Sequence, residues 1–311
     1  MRLNKPLIII LLSISFFVIQ CNPAQETITI SGAFGLYPMA IKWAEEFKKI
    51  HPEIRLDISA GGAGKGMTDV LYENVDLGML SRDINHREIE KGAYPVAVVK
   101  DAVIPTFNSA NPVAKNILSQ GLTKKEFTEI FIEEKYQYWG QVLKIQDVTP
   151  LHVYTRSDAA GAPETWAKYL NKKQEDLKGV GVFGDPGLAQ AVKNDIYSVG
   201  FNNVVYVYNS ATQVPHQGLS VVPIDINENG KIDSTENFYT TLPAIIKAIG
   251  QGKYPSPPAR ELYLVTKGKP QRASVKEFLR WILTDGQAYV NESGYIQMTP
   301  DMIKQELAKI E

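Results

Sequence analysis

The sequence predicts an α/β fold in two lobes, each a mostly parallel sheet flanked by helices, with two segments that cross between the lobes. Three observations predict it. Short apolar strands alternate with amphipathic helices, which is typical of parallel sheets covered on both faces. Two proline-containing apolar runs, 94–108 and 254–268, have the length of strands that cross between lobes. The chain of 311 residues is also long enough for two medium domains.

The first lobe is predicted to combine residues 27–108 with residues 259–311. Alternating apolar residues predict a strand at 26–32, and an amphipathic helix follows until Pro52 ends it. The further predicted elements of this lobe are a strand at 54–60, a helix at 65–73, a strand at 75–80, a long helix at 274–294 and a terminal helix at 299–310.

The second lobe is predicted to span residues 109–258. A capping box of Thr123 and Glu126 opens a helix at 123–131. A helix from about Gly161 follows a strand at 151–156, and Asp185 is interpreted as the N-cap of the next helix because Pro186 follows it. Apolar runs at 203–209 and 219–224 are predicted to be strands.

The first twenty residues differ from the rest of the chain. Arg2 and Lys5 precede thirteen uncharged residues, 7–19, a length too short to span a bilayer comfortably and typical of the apolar core of a secretory signal. We predict a signal peptide at 1–20 and a tether at 21–26. Removing the signal takes away two basic residues and no acids, so the mature net charge is 31 − 34 = −3.

Cys21 is the only cysteine of the chain. Either it is incidental, or the signal is of the bacterial lipoprotein type, cut before Cys21, whose thiol then carries lipid. Gln20 departs from the small residue usual before such a cysteine. A lone thiol in an exported protein nevertheless favours lipidation. We therefore expect a periplasmic or cell-surface protein anchored to a membrane through lipid.

Composition and motifs argue against two classes of function. Hydrophobic residues make up 44% and charged residues 22% of the chain, and a net charge of -1 provides no basic surface for nucleic acid. The four histidines are scattered, and neither H-E-x-x-H nor G-x-S-x-G occurs. The run at 61–66 is not a phosphate loop, because Ser59 replaces its first glycine and Gly66 its metal-binding hydroxyl residue. We expect no enzyme.

Four segments that follow predicted strands favour an anion site: 31–38, 59–66, 80–83 and 156–162. Small residues there let a ligand approach the backbone, and helix N-termini supply unpaired N–H donors. Taken singly, each segment is more often a tight turn, but such segments meet at the carboxyl ends of strands, where ligands bind. The candidate ligands are Ser31, Ala33, Phe34, Gly35, Ala63, Gly64, Lys65, Ser81, Arg82, Arg156, Ala160, Gly161 and Ala162.

Two of these segments carry a specific resemblance. VDLGMLSRD (75–83) and RSDAAGAPETW (156–166) are similar to the VD-hydrophobic-G-M-x-S-R and R-x-D-G-S-G-T stretches of the periplasmic phosphate-binding proteins of ABC importers, which belong to the type II periplasmic-binding-protein superfamily. GAFGLYP (32–38) and KWAEEF (42–47) are similar to the first glycine-rich turn and helix of that family, and the order of segments resembles it over nearly the whole mature chain. The resemblance implies that Arg156 binds the anion, that the N–H of Gly161 faces it, and that Ser81 occupies the position of an acidic or hydroxyl ligand.

The sequence departs from that family at most of its hydroxyl ligands. The serine and threonine after the aspartate appear as Ala160 and Ala162, and the serine of the second turn as Ala63. The hydroxyls of the first turn appear as Ala33, Phe34 and Gly35. Backbone N–H groups and Arg156 remain, which keeps the anion open between phosphate, another tetrahedral oxyanion and a larger anionic solute.

The resemblance implies a monomeric binding protein that delivers phosphate or another oxyanion to an ABC permease. A sensor or scavenger of the same fold is the first alternative. A phosphate-ester hydrolase is the second, but it requires a nucleophile with a base, or a catalytic metal cluster, and the sequence offers neither.

One further motif stands apart from the anion segments. DINENGKIDSTE (225–236) matches the calcium-loop pattern D-x-[DN]-x-[DN]-G-x5-E throughout, although a strand precedes it and only a helix follows. The alternative is a polar Asn-Gly turn, but a full twelve-residue match favours a structural calcium ion. The predicted ligands are Asp225, Asn227, Asn229, the carbonyl of Lys231, Asp233 and Glu236.

Overall fold

A computed structural model describes residues 25–311, so the predicted signal peptide and Cys21 lie outside the described residues. The strands are β1 (Glu26–Gly32), β2 (Ile54–Ala60), β3 (Leu77–Leu80), β4 (Ala93–Asn108), β5 (His152–Arg156), β6 (Val180–Val182), β7 (Ser198–Asn203), β8 (Leu219–Val221) and β9 (Ala259–Lys267).

Helices lie between most of these strands. They are α1 (Tyr37–Ile50), α2 (Ala63–Leu71), α3 (His86–Glu90), α4 (Ala114–Gln120), α5 (Lys124–Phe131), α6 (Trp139–Leu143), α7 (Gly161–Tyr169), α8 (Gly184–Asn194), α9 (Val204–Val207), α10 (Leu242–Gly250), α11 (Ala273–Leu283) and α12 (Pro300–Ile310). The predicted capping box at the start of α5 is confirmed. Within residues 25–311, no helix has the length and apolarity needed to cross a membrane.

The strands form one continuous sheet in the order β2-β1-β3-β9-β4-β7-β5-β6, with β8 paired to β4. β1 runs parallel to β2 and β3 at one end, and β5 runs parallel to β6 and β7 at the other. Between them the two long strands β4 and β9 are antiparallel to each other and to their neighbours. The parallel strands at each end therefore form the two lobes, and β4 and β9 join them.

Within residues 25–311, two large hydrophobic cores confirm the two-lobe α/β prediction, and a small third cluster accompanies the second of them. One core draws on residues 28–99 and 262–310, around Trp43 and Phe47. The other lies mainly within residues 102–254, around Trp139 and Trp166. The chain passes from one core to the other near residue 100, inside β4, rather than after the predicted boundary at 108. β4 continues through this change over sixteen residues, with a shift of register against β9 between Ala97 and Val99.

Two predicted elements are wrong in detail. Residues 204–207 are helical rather than extended, because Val204 and Val207, three positions apart, are both fully buried in the core of the second lobe. Helix α11 ends at Leu283 instead of continuing to 294. The chain then turns through a 3-10 segment, Asp285–Tyr289, in which the carbonyl of Gly286 accepts a 2.9 Å hydrogen bond from the buried Trp43 indole.

Candidate anion-binding site

The N-terminus of α7 is bare of side-chain caps. β5 ends at Arg156, and Ala160 occupies the N-cap position, where its methyl group accepts no hydrogen bond. No described residue accepts a hydrogen bond from the backbone N–H of Gly161 or Ala162. The start of α7 therefore presents two donors together with the positive end of the helix dipole.

The start of α2 faces α7 from the other lobe. Its N-cap is Gly62, and no described residue accepts the N–H groups of Ala63 and Gly64. A Cβ atom on Gly64 would lie 3.3 Å from the carbonyl oxygen of Ala159, so the lobes touch here backbone to backbone. Two helix N-termini thus meet at the junction, one from each lobe, which concentrates N–H donors in one place.

The segments after β1 and β3 complete the junction. Ser81 follows β3, is 2% exposed, and lies so close to α7 that a Cβ atom on Gly161 would be 2.1 Å from its carbonyl oxygen. A Cβ atom on Gly35 would lie 3.0 Å from the side-chain nitrogen of Asn203 in the second lobe. The structure therefore brings all four predicted segments together at the contact between the lobes.

Arg156 is buried at this junction with a fully inaccessible side chain. Its Nε and Nη2 donate to the carboxylate of Asp158 at 2.7 and 2.6 Å, and its Nη1 donates to Asp185 at 2.6 Å. Phe34 of the first lobe lies over the guanidinium, with 5.8 Å between the guanidinium carbon and the ring centre. Three of its five N–H groups are thus used, and no acceptor for the other two occurs among residues 25–311.

Arg156 and Asp158 stabilise each other's charged forms. Burial acts to lower the pKa of Arg156, but the charge of Asp185 and the hydrogen bonds to Asp158 outweigh it and raise that pKa. Burial acts to raise the pKa of Asp158, but Arg156 outweighs it and the pKa falls below its usual value. One guanidinium against two carboxylates gives this buried group a net charge of −1.

A second buried arginine connects the site to the crossing strands. Arg260 on β9 donates from Nε to Asp101 on β4 at 2.9 Å, and from Nη1 to the hydroxyl of Thr165 on α7 at 2.7 Å. Its Nη2 donates to Asn203, whose side-chain nitrogen donates to Asp185 at 2.7 Å. Burial raises the pKa of Asp101, and the charge of Arg260 offsets this only in part. The network therefore joins the two long strands β4 and β9 to Asp185, a partner of Arg156.

Comparison with known proteins identifies the family. Residues 20–286 match the model of the PBP superfamily domain. The chain belongs to the PBP superfamily. It is 24% identical to the phosphate-binding protein PstS of Methanocaldococcus jannaschii, over 91% of this chain and 86% of that protein. It is 27% identical to protein SphX of Synechococcus elongatus, over 91% of this chain and 81% of that protein.

Two solved structures share the fold. A Clostridium perfringens protein whose crystal structure contains bound phosphate superposes with a TM-score of 0.72 and 22% identity, covering 88% of this chain and all of that one. An ABC-type phosphate transport receptor from Vibrio cholerae superposes with a TM-score of 0.63 and 19% identity, covering 87% and 100% of the two chains. These likenesses extend over both lobes.

Four of the predicted anion ligands have other partners in this PBP-superfamily chain. The hydroxyl of Ser31 donates its one proton to Asp69 at 2.6 Å, and Lys65 pairs with the same carboxylate. Arg82 makes a two-pronged contact with Glu88, at 2.9 and 2.6 Å. The N–H of Ala33 is also engaged, with the carbonyl of Met79 at 2.8 Å. In this structure these four groups therefore pair within the first lobe.

The remaining predicted residues lie at or beside the junction. Phe34, Gly35, Ser81, Arg156 and Gly161 meet there, as described above. An open cleft of about 540 Å³ beside it is lined by residues of both lobes, among them Gly64, Ala160 and the engaged Arg82. Ala33, Ala63, Ala160 and Ala162 are all buried, so their small side chains also serve close packing.

Sequence reasoning did not identify five residues of the site: Asp101, Asp158, Asp185, Asn203 and Arg260. Asp185 was interpreted as a helix cap, whereas α8 begins one residue earlier and the carboxylate turns to Arg156. The sequence around Arg260 indicates a buried ion pair, because a charged residue lies next to the apolar run of a predicted crossing strand. Such a charge is buried only when it is paired, which points to a partner such as Asp101.

Proposed function

We propose that this protein binds inorganic phosphate between its two lobes and delivers it to an ABC permease, without catalysing a reaction. The observation that carries the proposal is Arg156, fully buried at the lobe contact beside the uncapped start of α7, with two N–H groups that no described residue accepts. The names of the relatives and the phosphate in the C. perfringens structure support the same ligand.

The two buried carboxylates favour an oxyanion that carries a proton. Asp158 and Asp185 outnumber Arg156, so a fully ionised oxyanion meets negative charge that it cannot neutralise. A protonated oxyanion donates its O–H to one of these carboxylates and accepts N–H groups with its other oxygens. At neutral pH phosphate and arsenate carry a proton, whereas sulfate and molybdate carry none.

Calorimetry on protein stripped of bound ligand tests this proposal. We expect phosphate and arsenate to bind, and sulfate and molybdate to bind roughly 5- to 150-fold more weakly. That range corresponds to about 1–3 kcal/mol for a buried group left without its hydrogen bond. Equal affinity for sulfate would contradict the role of the carboxylates. No heat from any of the four anions would exclude a small oxyanion and favour a larger anionic solute.

Two further measurements separate the alternatives. Release of phosphate from phosphate esters by the purified protein would contradict a pure binding function. Stimulation of a cognate permease's ATPase by the loaded protein supports delivery, whereas tight binding without such stimulation indicates a sensor or scavenger.

We also propose that Cys21 carries the lipid anchor of an extracytoplasmic protein. Its support is the sequence alone. A thirteen-residue apolar run at 7–19 is followed by Gln20 and then by Cys21, the only cysteine of the sequence. Replacing Cys21 by serine should release the protein from membranes, since two or three acyl chains anchor stably whereas one chain binds only marginally. The mature wild type should have the mass of residues 21–311 plus lipid. An unmodified Cys21 in the intact mass would contradict this.

A further inference from the structure

The loop at residues 225–236 lies outside the anion site and is closed by its own hydrogen bonds. Asp225 is 2% exposed, and its two carboxylate oxygens accept the N–H groups of Asn229 at 3.2 Å and Gly230 at 2.8 Å. Gly230 has φ 79°, a left-handed conformation that turns the chain sharply back over Asp225. The helix expected directly after the loop begins only at Leu242.

Glu236 closes the loop from its other end and has an unsatisfied oxygen. Its Oε1 accepts the N–H groups of Ile226 at 2.8 Å and Asn227 at 3.0 Å. The residue is only 4% exposed, and its Oε2 is buried with no hydrogen-bond partner among residues 25–311. A buried carboxylate oxygen without a partner is unfavourable. Because Oε1 holds the carboxylate against the loop backbone, Oε2 requires a partner from outside the protein's own donors.

We propose that this loop binds one calcium ion, with Oε2 of Glu236 as the buried ligand. Asp225, Asn227, Asn229, the carbonyl of Lys231, Asp233 and Glu236 supply oxygen at positions 1, 3, 5, 7, 9 and 12, the spacing that surrounds calcium in twelve-residue loops. Four acids against one lysine give the loop a net charge of −3, which attracts a cation. Six oxygen positions supplied by the protein suit calcium rather than magnesium, which usually keeps several waters.

The loop must rearrange slightly to receive the ion. Among the described residues, no three acidic, histidine or cysteine side chains lie close enough together to hold a metal. Asp233 instead accepts hydrogen bonds from the side-chain NH2 groups of Asn227 at 3.1 Å and Asn229 at 3.3 Å. The Oδ1 atoms of these two asparagines already accept the backbone N–H groups of Asn229 and Lys231, both at 3.1 Å, so the two NH2 groups must rotate away from Asp233 before its carboxylate can bind the ion. Such side-chain rotations leave the backbone turn around Asp225 in place.

The position of the loop makes the ion a structural element of the second lobe. The N–H of Asp225 donates to the carbonyl of Leu122 at 3.0 Å, and that of Ile232 donates to the carbonyl of Ser119 at 2.8 Å. Ser119 lies at the exposed end of α4, and Leu122 is buried in the core of that lobe between α4 and α5. The loop makes no hydrogen bond to Arg156, Asp158 or Asp185 within the described chain. Calcium should therefore stabilise the lobe without touching the anion site.

Melting the purified protein with calcium chloride or with EGTA tests the proposal. At a hundredfold excess over the dissociation constant, calcium stabilises by about 2.7 kcal/mol, which raises the melting temperature by roughly 5 °C. Native mass spectrometry should show one calcium ion per chain. Replacing Glu236 by glutamine should abolish both signals, because it removes the buried negative oxygen while keeping an acceptor for the loop amides.

Glu228→Gln is the matched control. It removes the same charge from the same loop, but Glu228 is exposed and stands at position 4, which supplies no ligand. This variant should keep its calcium ion and its melting shift. If both variants lost calcium binding equally, the ion would be held only by the general negative charge of the loop. That result would overturn the proposal. A wild-type protein that carries no calcium in millimolar calcium chloride would also overturn it, whether or not either variant folds.

Discussion

Replacing Arg156 by alanine should weaken phosphate binding by roughly 30-fold to several thousandfold. Truncating one member of a buried, hydrogen-bonded charge pair weakens binding by about 2–5 kcal/mol, and each 1.4 kcal/mol is a factor of ten. Arg156 fits that case because its side chain is inaccessible and its remaining N–H groups are the cationic donors at the lobe junction. Calorimetry with phosphate, on ligand-stripped wild type and variant, measures the change.

The same substitution should also reduce stability, so folding must be followed separately. Without Arg156, Asp158 and Asp185 lose the cation that compensates them, and breaking a buried pair destabilises by about 3–5 kcal/mol. Arg156→Lys provides a milder variant, because it keeps a charge and loses the planar two-pronged contact.

Arg82→Ala is the matched control for Arg156. It removes a guanidinium from the first lobe that already contacts Glu88 and Glu164, so its affinity for phosphate should change by only a few-fold. A folded Arg156→Ala protein that binds phosphate like the wild type would contradict the proposed site. A large loss of phosphate affinity in the Arg82 variant alone would indicate that the anion binds in the open cleft beside the junction.

Replacing Gly161 by alanine should keep the lobes apart and weaken phosphate binding by roughly 5- to 150-fold. The added methyl carbon would lie 2.1 Å from the carbonyl oxygen and 2.3 Å from the hydroxyl of Ser81, which belongs to the other lobe. Overpacking of this kind costs about 1–3 kcal/mol, which sets the range of the affinity change. Separation of the lobes relieves the clash, so each lobe should stay folded.

Scattering and calorimetry together check this outcome. With saturating phosphate, the radius of gyration of the variant should stay larger than that of the wild type. Gly187→Ala is the control, because it makes the same change in the same lobe where the new methyl meets only Val182, at 3.2 Å. Its affinity and size should match the wild type. Unchanged binding by Gly161→Ala would show that phosphate is held without close contact between the lobes.

Local sequence signals located the parts of the site that depend on the backbone. Small residues after strands marked the starts of α2 and α7, because a helix start without capping side chains is a property of a few adjacent residues. The same reasoning predicted wrong limits where tertiary contacts decide. Val204 and Val207 form a helix because of the core beneath them, and the end of α11 is set by the contact of Gly286 with Trp43.

The sequence by itself determined the alternation of strands and helices, the two crossings and the four turn segments, since each depends on periodicity or on residues close in the chain. Only the tertiary structure decided which charges pair. With 33 basic and 34 acidic residues, the sequence does not show that Ser31 and Lys65 meet Asp69, or that Arg156 meets Asp185, 29 positions away. The pairing follows from how the elements pack, because burial stabilises a charge only beside a partner.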